Sequence, residues 1–253
     1  MIASQRSMYI MEQLAQKSVI DLKEIARALN ASESTVRRDI ERLERQGKLK
    51  RVLGGAELAD MQDTSIAEWT MRQKHNLNAG AKRLVAARAA QFVRDGECVF
   101  IDGGTSMAPL IRLLCARPVR IVTNNHLVLR EIVNPEAAIL TLGGIYLPHF
   151  HMTVGPLAEG MLSNFHFDHA FISCSGVDVE KGMSYTSEID TINIKRIAAE
   201  YAERTYLLID ASKLRFRAFC KCIPLDAFDH VLCNAVAANM QLPDNFVIVN
   251  EEV

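Results

Sequence analysis

Apolar residues recur at steps of three and four along the first sixty positions. Gln5 to Gln16 carries Met8, Met11, Leu14 and Ala15 on one stripe; Leu22, Ile25, Ala26 and Leu29 make a second; Val36, Ile40 and Leu43 make a third. Three amphipathic helices are therefore predicted. Asp21-Leu22-Lys23-Glu24 has capping-box spacing, with Asp21 as N-cap and Glu24 set to reach back to its amide, and Ser32 stands at the N-cap of the third helix. Asn30 and Ala31 allow only a tight turn between the second and third helices, which makes the pair a helix-turn-helix. Gly47 should end the third helix, Lys48 to Leu53 alternates with a strand's period, and Gly54-Gly55 should turn the chain. The outline is a winged helix-turn-helix.

Past residue 58 the pattern gives way to a polar stretch, Asp60, Gln62, Asp63, Thr64 and Ser65, with the lone Trp69 as an anchor where it meets the next unit. We expect a winged head over 3–58, a linker over 59–78 and a second domain over 79–253. In that domain a helix over 79–93 precedes short apolar runs at 98–102, 119–123, 138–142, 169–174, 205–210, 229–233 and 246–250, with helices expected at 126–133 and 188–203. Buried strands alternating with helices predict an α/β domain, a largely parallel sheet covered on both faces.

Charge adds only a little. Residues 1–60 hold 11 Lys and Arg against 9 Asp and Glu, net +2, so the remainder, with 18 against 21, is net −3. Residues 33–53 hold seven basic and four acidic residues, net +3. Only the head suits a polyanion, and capping, turn length and wing carry more of that argument than charge does. Ser34, Thr35, Arg37, Arg38 and Arg42 lie off the apolar stripe of the third helix, and Lys50 and Arg51 lie on the wing. These seven are the candidate contacts to double-stranded DNA. No apolar run reaches the roughly 18 residues that span a bilayer, so no membrane partner and a cytoplasmic location are expected. The six cysteines fall mostly in apolar runs and read as small core residues; Cys220-x-Cys222 has no second pair, so no metal or other cofactor is expected.

In a sheet of this kind ligands bind at the carboxyl ends of strands. Asp102-Gly103-Gly104-Thr105-Ser106 leaves one strand and enters a helix, so its glycines could let the backbone approach an anion to which amides and hydroxyls donate. The alternative is a plain strand-to-helix turn. Thr123-Asn124-Asn125 and Gly143-Gly144 leave two further strand ends. Asp210 and Lys213 close a fourth, with a carboxylate for a ligand hydroxyl and an ammonium for a phosphate. His149 and His151, two residues apart beyond Gly144, could face the same ligand. His166 and His169 lack the companions a metal set needs.

The run Glu24-Ile25-Ala26, Ser32, Thr35 to Ile40, Leu43, Gly47, Lys50-Arg51 and Gly54-Gly55-Ala56 resembles the DNA-binding signature of the DeoR family of bacterial transcriptional regulators. The likeness continues at Asp102 to Thr105, Thr123-Asn124, Gly143-Gly144, Gly155, Asp168, Gly176, Asp178, Asp210, Ser212 and Lys213. It implies a ribose-phosphate-isomerase-like effector domain that binds phosphorylated sugars or related metabolites. Ser106, Asn125 and Leu214 depart from the family pattern. The expected function is a ligand-controlled regulator rather than an enzyme, a repressor of a carbohydrate or sugar-acid catabolic operon, with a phosphorylated sugar or sugar acid as effector. One winged head buries too little surface for tight operator binding, so a homo-oligomer built through residues beyond 80 is expected. The alternative is a sugar-phosphate isomerase or deaminase carrying a fused DNA-binding head, with Asp178, Glu180 and Asp210 as its acid and base groups.

Overall fold

The computed structural model describes residues 3–17, 19–45, 49–58, 74–75, 77–132, 135–236 and 240–250. Gly47, Lys48, Trp69 and most of the expected linker lie outside the described residues, as do the side chains of Met8 and Ala15. The chain divides into two compact units, Met1–Trp69 with Asn76–Asn78, and Thr70–His75 with Ala79–Val253.

The first unit holds α1 (Ala3–Lys17), β1 (Val19–Asp21), α2 (Leu22–Ala28), α3 (Glu33–Arg45), β2 (Leu49–Val52) and β3 (Gly55–Leu58). Its core joins Ile10 and Leu14 of α1, Ile25 of α2, and Val36, Ile40 and Leu43 of α3 to Leu49 and Ala56 of the wing. The Asp21 carboxylate caps α2 by accepting from the amides of Lys23 and Glu24 at 2.8 and 3.0 Å. Glu24 does not close the box; its carboxylate lies 3.6 Å from Lys17 Nζ. Ser32 Oγ caps α3 by accepting from the Thr35 amide at 3.2 Å.

The wing differs from expectation in two ways. It has a third strand, because β1 pairs antiparallel with β3 and gives the order β1-β3-β2. Its turn is Leu53-Gly54 rather than Gly54-Gly55, since Gly54 takes the positive φ of 84° while Gly55 already pairs with Asp21. Gly55 is needed for another reason: a Cβ there would stand 1.8 Å from the Ile20 carbonyl oxygen.

The second unit is built on a seven-stranded, all-parallel sheet of order β15-β14-β12-β9-β4-β5-β6. Its strands are β4 (Cys98–Ile101), β5 (Arg120–Thr123), β6 (Ala138–Thr141), β9 (Phe167–Ile172), β12 (Ala202–Ile209), β14 (His230–Cys233) and β15 (Phe246–Ile248). Alternate residues serve opposite faces. Val99, Ile101, Phe171, Tyr206 and Leu208 pack with α4 (Ala79–Ala90) and α5 (Met107–Leu114). Phe100, Ala170, Ile172, Leu207 and Ile209 pack with α6 (Pro156–Leu162) and α7 (Ile192–Glu200). Burial on both faces explains why these strands read as unbroken apolar runs.

Several short elements were not legible. A hairpin of β7 (Ile145–Leu147) and β8 (Met152–Val154) follows Gly144, and β10 (Gly176–Asp178), β11 (Met183–Thr186) and β13 (Cys220–Pro224) form a small antiparallel sheet. The helix expected at 126–133 is a single 3-10 turn, Val128–Glu131. The Asn125 side chain takes the amides of Leu127 and Val128 at 3.0 and 3.3 Å, which favours a turn over the start of an α-helix. The helix expected at 188–203 is a 3-10 turn, Ile189–Thr191, followed by α7.

Gly55→Ala should destabilise the head by about 1–3 kcal/mol or more, the usual cost of forcing an extra carbon into packed structure. Here the obstructing atom is backbone and cannot swing aside. Urea unfolding followed by circular dichroism, beside Gly54→Ala as the strained-turn control, measures it.

Candidate nucleic-acid interface and anion site

The exposed side of α3 sorts the seven head candidates into three groups. Arg37 and Arg38 are exposed, and among the described residues neither has a hydrogen-bond or ion-pair partner. Two guanidiniums at the first turns of the helix are thus left for an outside acceptor. Ser34 and Thr35 interact with the cap, their hydroxyls lying 2.9 and 2.8 Å from Ser32 Oγ.

Arg42 is tied into the head although its side chain stays 40% exposed. Its guanidinium donates to Ser7 Oγ of α1 at 2.7 Å and to Asp39 Oδ1 at 2.8 Å, and Arg6 Nε of α1 meets the other oxygen of Asp39 at 2.6 Å. Asp39 is 3% exposed, so a buried carboxylate between two arginines fastens α3 to α1, and Arg42 is committed to that joint. The wing cations are committed too. Arg51 reaches Glu44 at 2.5 Å and Glu41 at 3.1 Å, and Lys50 lies 3.7 Å from Glu57. The Arg51 amide, more than its guanidinium, holds the Glu44 carboxyl below its ordinary value.

The order in which the chain adds strands reverses between β4 and β9, and the second site gathers at the carboxyl ends there. Asp102, fully buried after β4, accepts from the amide and hydroxyl of Ser173 at 2.9 and 2.5 Å and from the ammonium of Lys195. Lys195, on α7, also donates to the Ser173 carbonyl at 3.1 Å. Burial alone would raise the Asp102 carboxyl, but the Lys195 charge and the Ser173 donors outweigh it and hold the group below its usual value. Burial likewise works against the Lys195 ammonium, and the Asp102 charge more than offsets it. Both groups are therefore ionised. Asp102 Oδ1, Ser106 Oγ and Asn124 Oδ1 are buried with no hydrogen-bond partner among the described residues. Buried polar atoms left in this way mark a place where a ligand or solvent must supply the bond.

Two lysines reach the loops that carry these residues or their neighbours. Lys82 of α4 is 5% exposed and donates to Thr105 Oγ1 at 3.0 Å and to the Lys74 carbonyl. Burial first, and then the neighbouring charge of Lys213, push its ammonium down to about 7; Asp210 opposes this and Lys74 adds to it. Lys213 donates to the Cys174 carbonyl at 2.8 Å. Asp210, after β12, accepts from the amide and hydroxyl of Ser212 and caps the turn that carries Lys213.

Other expected ligand residues serve the scaffold. The Asn125 amide is spent on the carbonyls of Asp102 and Gly104 and on the two amides already described, which saturates it. Thr123 Oγ1 donates to the Ile101 carbonyl at 2.6 Å and accepts from the Asn125 amide at 3.0 Å. The glycines leave room for neighbouring side chains and backbone. A Cβ on Gly104 would lie 2.0 Å from Ser173 Oγ, and one on Gly103 2.7 Å from Met152. Gly143 and Gly144 carry the chain into the hairpin, where a Cβ on Gly144 would lie 2.6 Å from the Val154 carbonyl oxygen. The amides of Met107 and Ala108, at the start of α5, bond to the carbonyls of Gly104 and Thr105. His149 is exposed, and His151 Nδ1 lies 2.8 Å from the Tyr146 hydroxyl. His166 and His169 part company, the first meeting Glu203 and the second Glu97 and Tyr206. Asp178, an acid-base candidate for the isomerase alternative, is bound to Arg217.

Sequence reasoning missed Lys74, Lys82, Ser173 and Lys195. Two of them left a signal. Lys82 sits on the same helical stripe as Val85, Ala86 and Ala89, and Lys195 lies beside Ile194 and three residues before Ala198, so each is a cation on an apolar face.

A winged helix-turn-helix with two unpaired arginines on its third helix, together with an α/β unit holding lysines at its strand ends, defines a DNA-binding regulator with a sensor domain. The model of the DeoR-like helix-turn-helix domain matches residues 6–62, and that of the DeoR C-terminal sensor domain matches residues 77–235. The chain belongs to the DeoR family of transcriptional regulators, which sets the isomerase alternative aside. It is 29% identical to the L-fucose operon activator of Haemophilus influenzae over 95% of this chain and 93% of that protein. It is 30% identical to a putative aga operon transcriptional repressor of Escherichia coli O157:H7 over 90% of this chain and 85% of that protein. Among solved structures it is similar to ribose 5-phosphate isomerase A of Methanocaldococcus jannaschii, at 20% identity and a TM-score of 0.40 over 54% of this chain and 55% of that one. No helix among the described residues is long and apolar enough to cross a membrane.

Lys195→Met should cost about 3–5 kcal/mol of stability, because it strands a fully buried carboxylate. Asp102→Asn in the same chain should recover part of the loss. Since the folded Asp102 carboxyl lies below its unfolded value, its contribution is full above the unfolded carboxylate range and is lost as pH falls through the folded value. Thermal melts of both variants between neutral and acid pH check this.

Proposed function

We propose that this protein represses a carbohydrate or sugar-acid catabolic operon, and that a phosphorylated sugar or sugar acid bound at the strand ends of the second unit sets its operator affinity. The observation that carries the effector class is the buried Lys82, bonded to Thr105 and within electrostatic reach of Lys213, Lys74 and Asp210. Ammonium groups suit a phosphate, and a carboxylate beside them suits the hydroxyls of a polyol or sugar acid. The effector set that fits the geometry is Asp102, Thr105, Ser106, Asn124, Asp210 and Lys213, joined by Lys82. The fucose and aga relatives favour the carbohydrate assignment, and the second favours repression. The protein works in the cytoplasm, where its operator is, and as a homo-oligomer assembled through residues beyond 80, so that two heads read two half-sites.

A thermal-shift screen of phosphorylated sugars and sugar acids, followed by gel-shift titration on the promoter beside its own gene, tests the whole reading. Arg37→Ala and Arg38→Ala should each cost about 1–3 kcal/mol of operator affinity. Arg42→Ala should lower the melting temperature of the head instead. Lys50→Ala and Arg51→Ala, which leave Glu57, Glu44 and Glu41 without their cations, should weaken operator binding across all sequences rather than change sequence preference. Lys213→Ala should leave effector-free operator binding intact and abolish the response, which in the wild type should be about 5-fold to 150-fold. Effector release of DNA by Lys213→Ala at wild-type concentrations would place the site elsewhere. Light scattering at micromolar concentration checks the oligomer, and a monomer that still binds its operator tightly would contradict it.

A further inference from the structure

The segment between the head and the sheet contributes directly to the anion site. Lys74 and His75 are helical and belong with the second unit, while residues 59–73 of the expected linker precede them in sequence. Three contacts hold Lys74. The Lys74 carbonyl accepts from the Lys82 ammonium and, at 3.4 Å, from the Thr105 hydroxyl, and the Lys74 ammonium lies 3.6 Å from Glu188. His75 Nε2 lies 3.5 Å from Glu131, and its Nδ1 is buried without a partner among the described residues. The donors that secure the linker turn are thus the groups an anion at the Thr105-Ser106 loop would engage.

We propose that Lys82 is an effector-binding residue, and that the effector's anionic group takes Lys82 and Thr105 in competition with the Lys74 carbonyl, so that filling the site unlatches the linker turn. The proposal rests on the phosphorylated-effector reading. One carbonyl oxygen is a neutral acceptor, whereas a phosphate offers three charged ones, and bonds to a charged acceptor are shorter and about twice as strong. The exchange is therefore downhill for the donors once the anion is desolvated, and the lost partner of the carbonyl is left to solvent. An effector shifts a conformational equilibrium only by its different affinity for the two states. Competition for shared donors provides that difference without a distant relay.

The protonation of Lys82 adds a second readout. The groups that act on it are Lys213 and Asp210 from the turn after β12, Lys74 from the linker turn, and His75, whose own basicity Lys82 lowers. Its ammonium lies at about 7, so an arriving anion takes up a proton with it at neutral pH. Binding then weakens as pH rises above about 7.

The test uses the full chain with inorganic phosphate as probe and sulfate and chloride as controls at matched ionic strength. Calorimetry in two buffers of different ionisation heat measures affinity and proton uptake, and hydrogen exchange read by mass spectrometry follows peptides across 59–78. Wild type should bind phosphate with proton uptake and faster exchange in the peptide containing Lys74. Lys82→Met removes a buried amine for an apolar isostere, so the fold should hold; phosphate affinity should fall about tenfold or more, with proton uptake lost. Glu188→Gln should speed basal exchange of the same peptide while phosphate still binds. If Lys82→Met binds phosphate as wild type does, or if phosphate leaves exchange in that peptide unchanged, the competition is wrong while the effector reading stands. If wild type binds neither phosphate nor any phosphorylated sugar or sugar acid in the screen, both fail together.

Discussion

The second unit depends on one buried charge pair, the Asp102 carboxylate against the Lys195 ammonium, at the switch between β4 and β9. Two ions removed from water at this depth are tolerated because each is also hydrogen-bonded. Ser173 supplies an amide and a hydroxyl to the carboxylate and a carbonyl to the ammonium. The pair therefore ties three elements, the end of β4, the end of β9 and α7, to one point. A hydrophobic pair of similar volume would often hold a fold as well or better, so stability alone is a weak reason for ions here. What the pair achieves is to fix the Asp102-Gly103-Gly104-Thr105 loop against Ser173, which is why Gly104 can carry no side chain.

The head solves a similar problem at lower cost. Asp39 is buried between Arg6 and Arg42, and the wing cations are neutralised within the unit by Glu41, Glu44 and Glu57. Intramolecular pairing leaves Arg37 and Arg38 as the cations of α3 with no internal partner among the described residues. A net charge of +3 over residues 33–53 overstates what is on offer to a polyanion and hides where it is offered. Pairing concentrates that offer at the start of α3, where side chains reach base edges in other helix-turn-helix proteins.

The helices of the head and the strands of the large sheet were legible because long-range burial imposes a period. The 3.6 period marked α1 to α3, and unbroken apolar runs marked strands covered on both faces. What failed to show was short or decided by a single side chain. β10, β11 and β13 have three to five residues each, so no repeat is long enough to read. The 3-10 turn after β5 follows from the Asn125 amide, whose four bonds depend on tertiary placement. Loop residues were correctly recognised as sitting at strand ends, yet residue type did not reveal which faced inward: Thr123 and Asn125 close the scaffold while Asn124 keeps an unpartnered oxygen. The lysines were missed for the opposite reason, since helix patterning was used to find the apolar face and not to question a cation lying on it.

Those buried cations also explain how a site of this kind can be responsive. Lys82 is buried and feels the charges of Lys213 and Lys74, so its charged form carries an electrostatic penalty that Asp210 only partly offsets. A neutral ligand would recover none of that energy. An anion bound as proposed would offset it, and most in an arrangement where the lysines can converge on it. Selectivity for charge and sensitivity of conformation then arise from the same term, because the state that best gathers the ammonium groups is the state the anion selects. The Thr105 hydroxyl, bonded both to Lys82 and to the Lys74 carbonyl, joins that cation to the turn at Lys74.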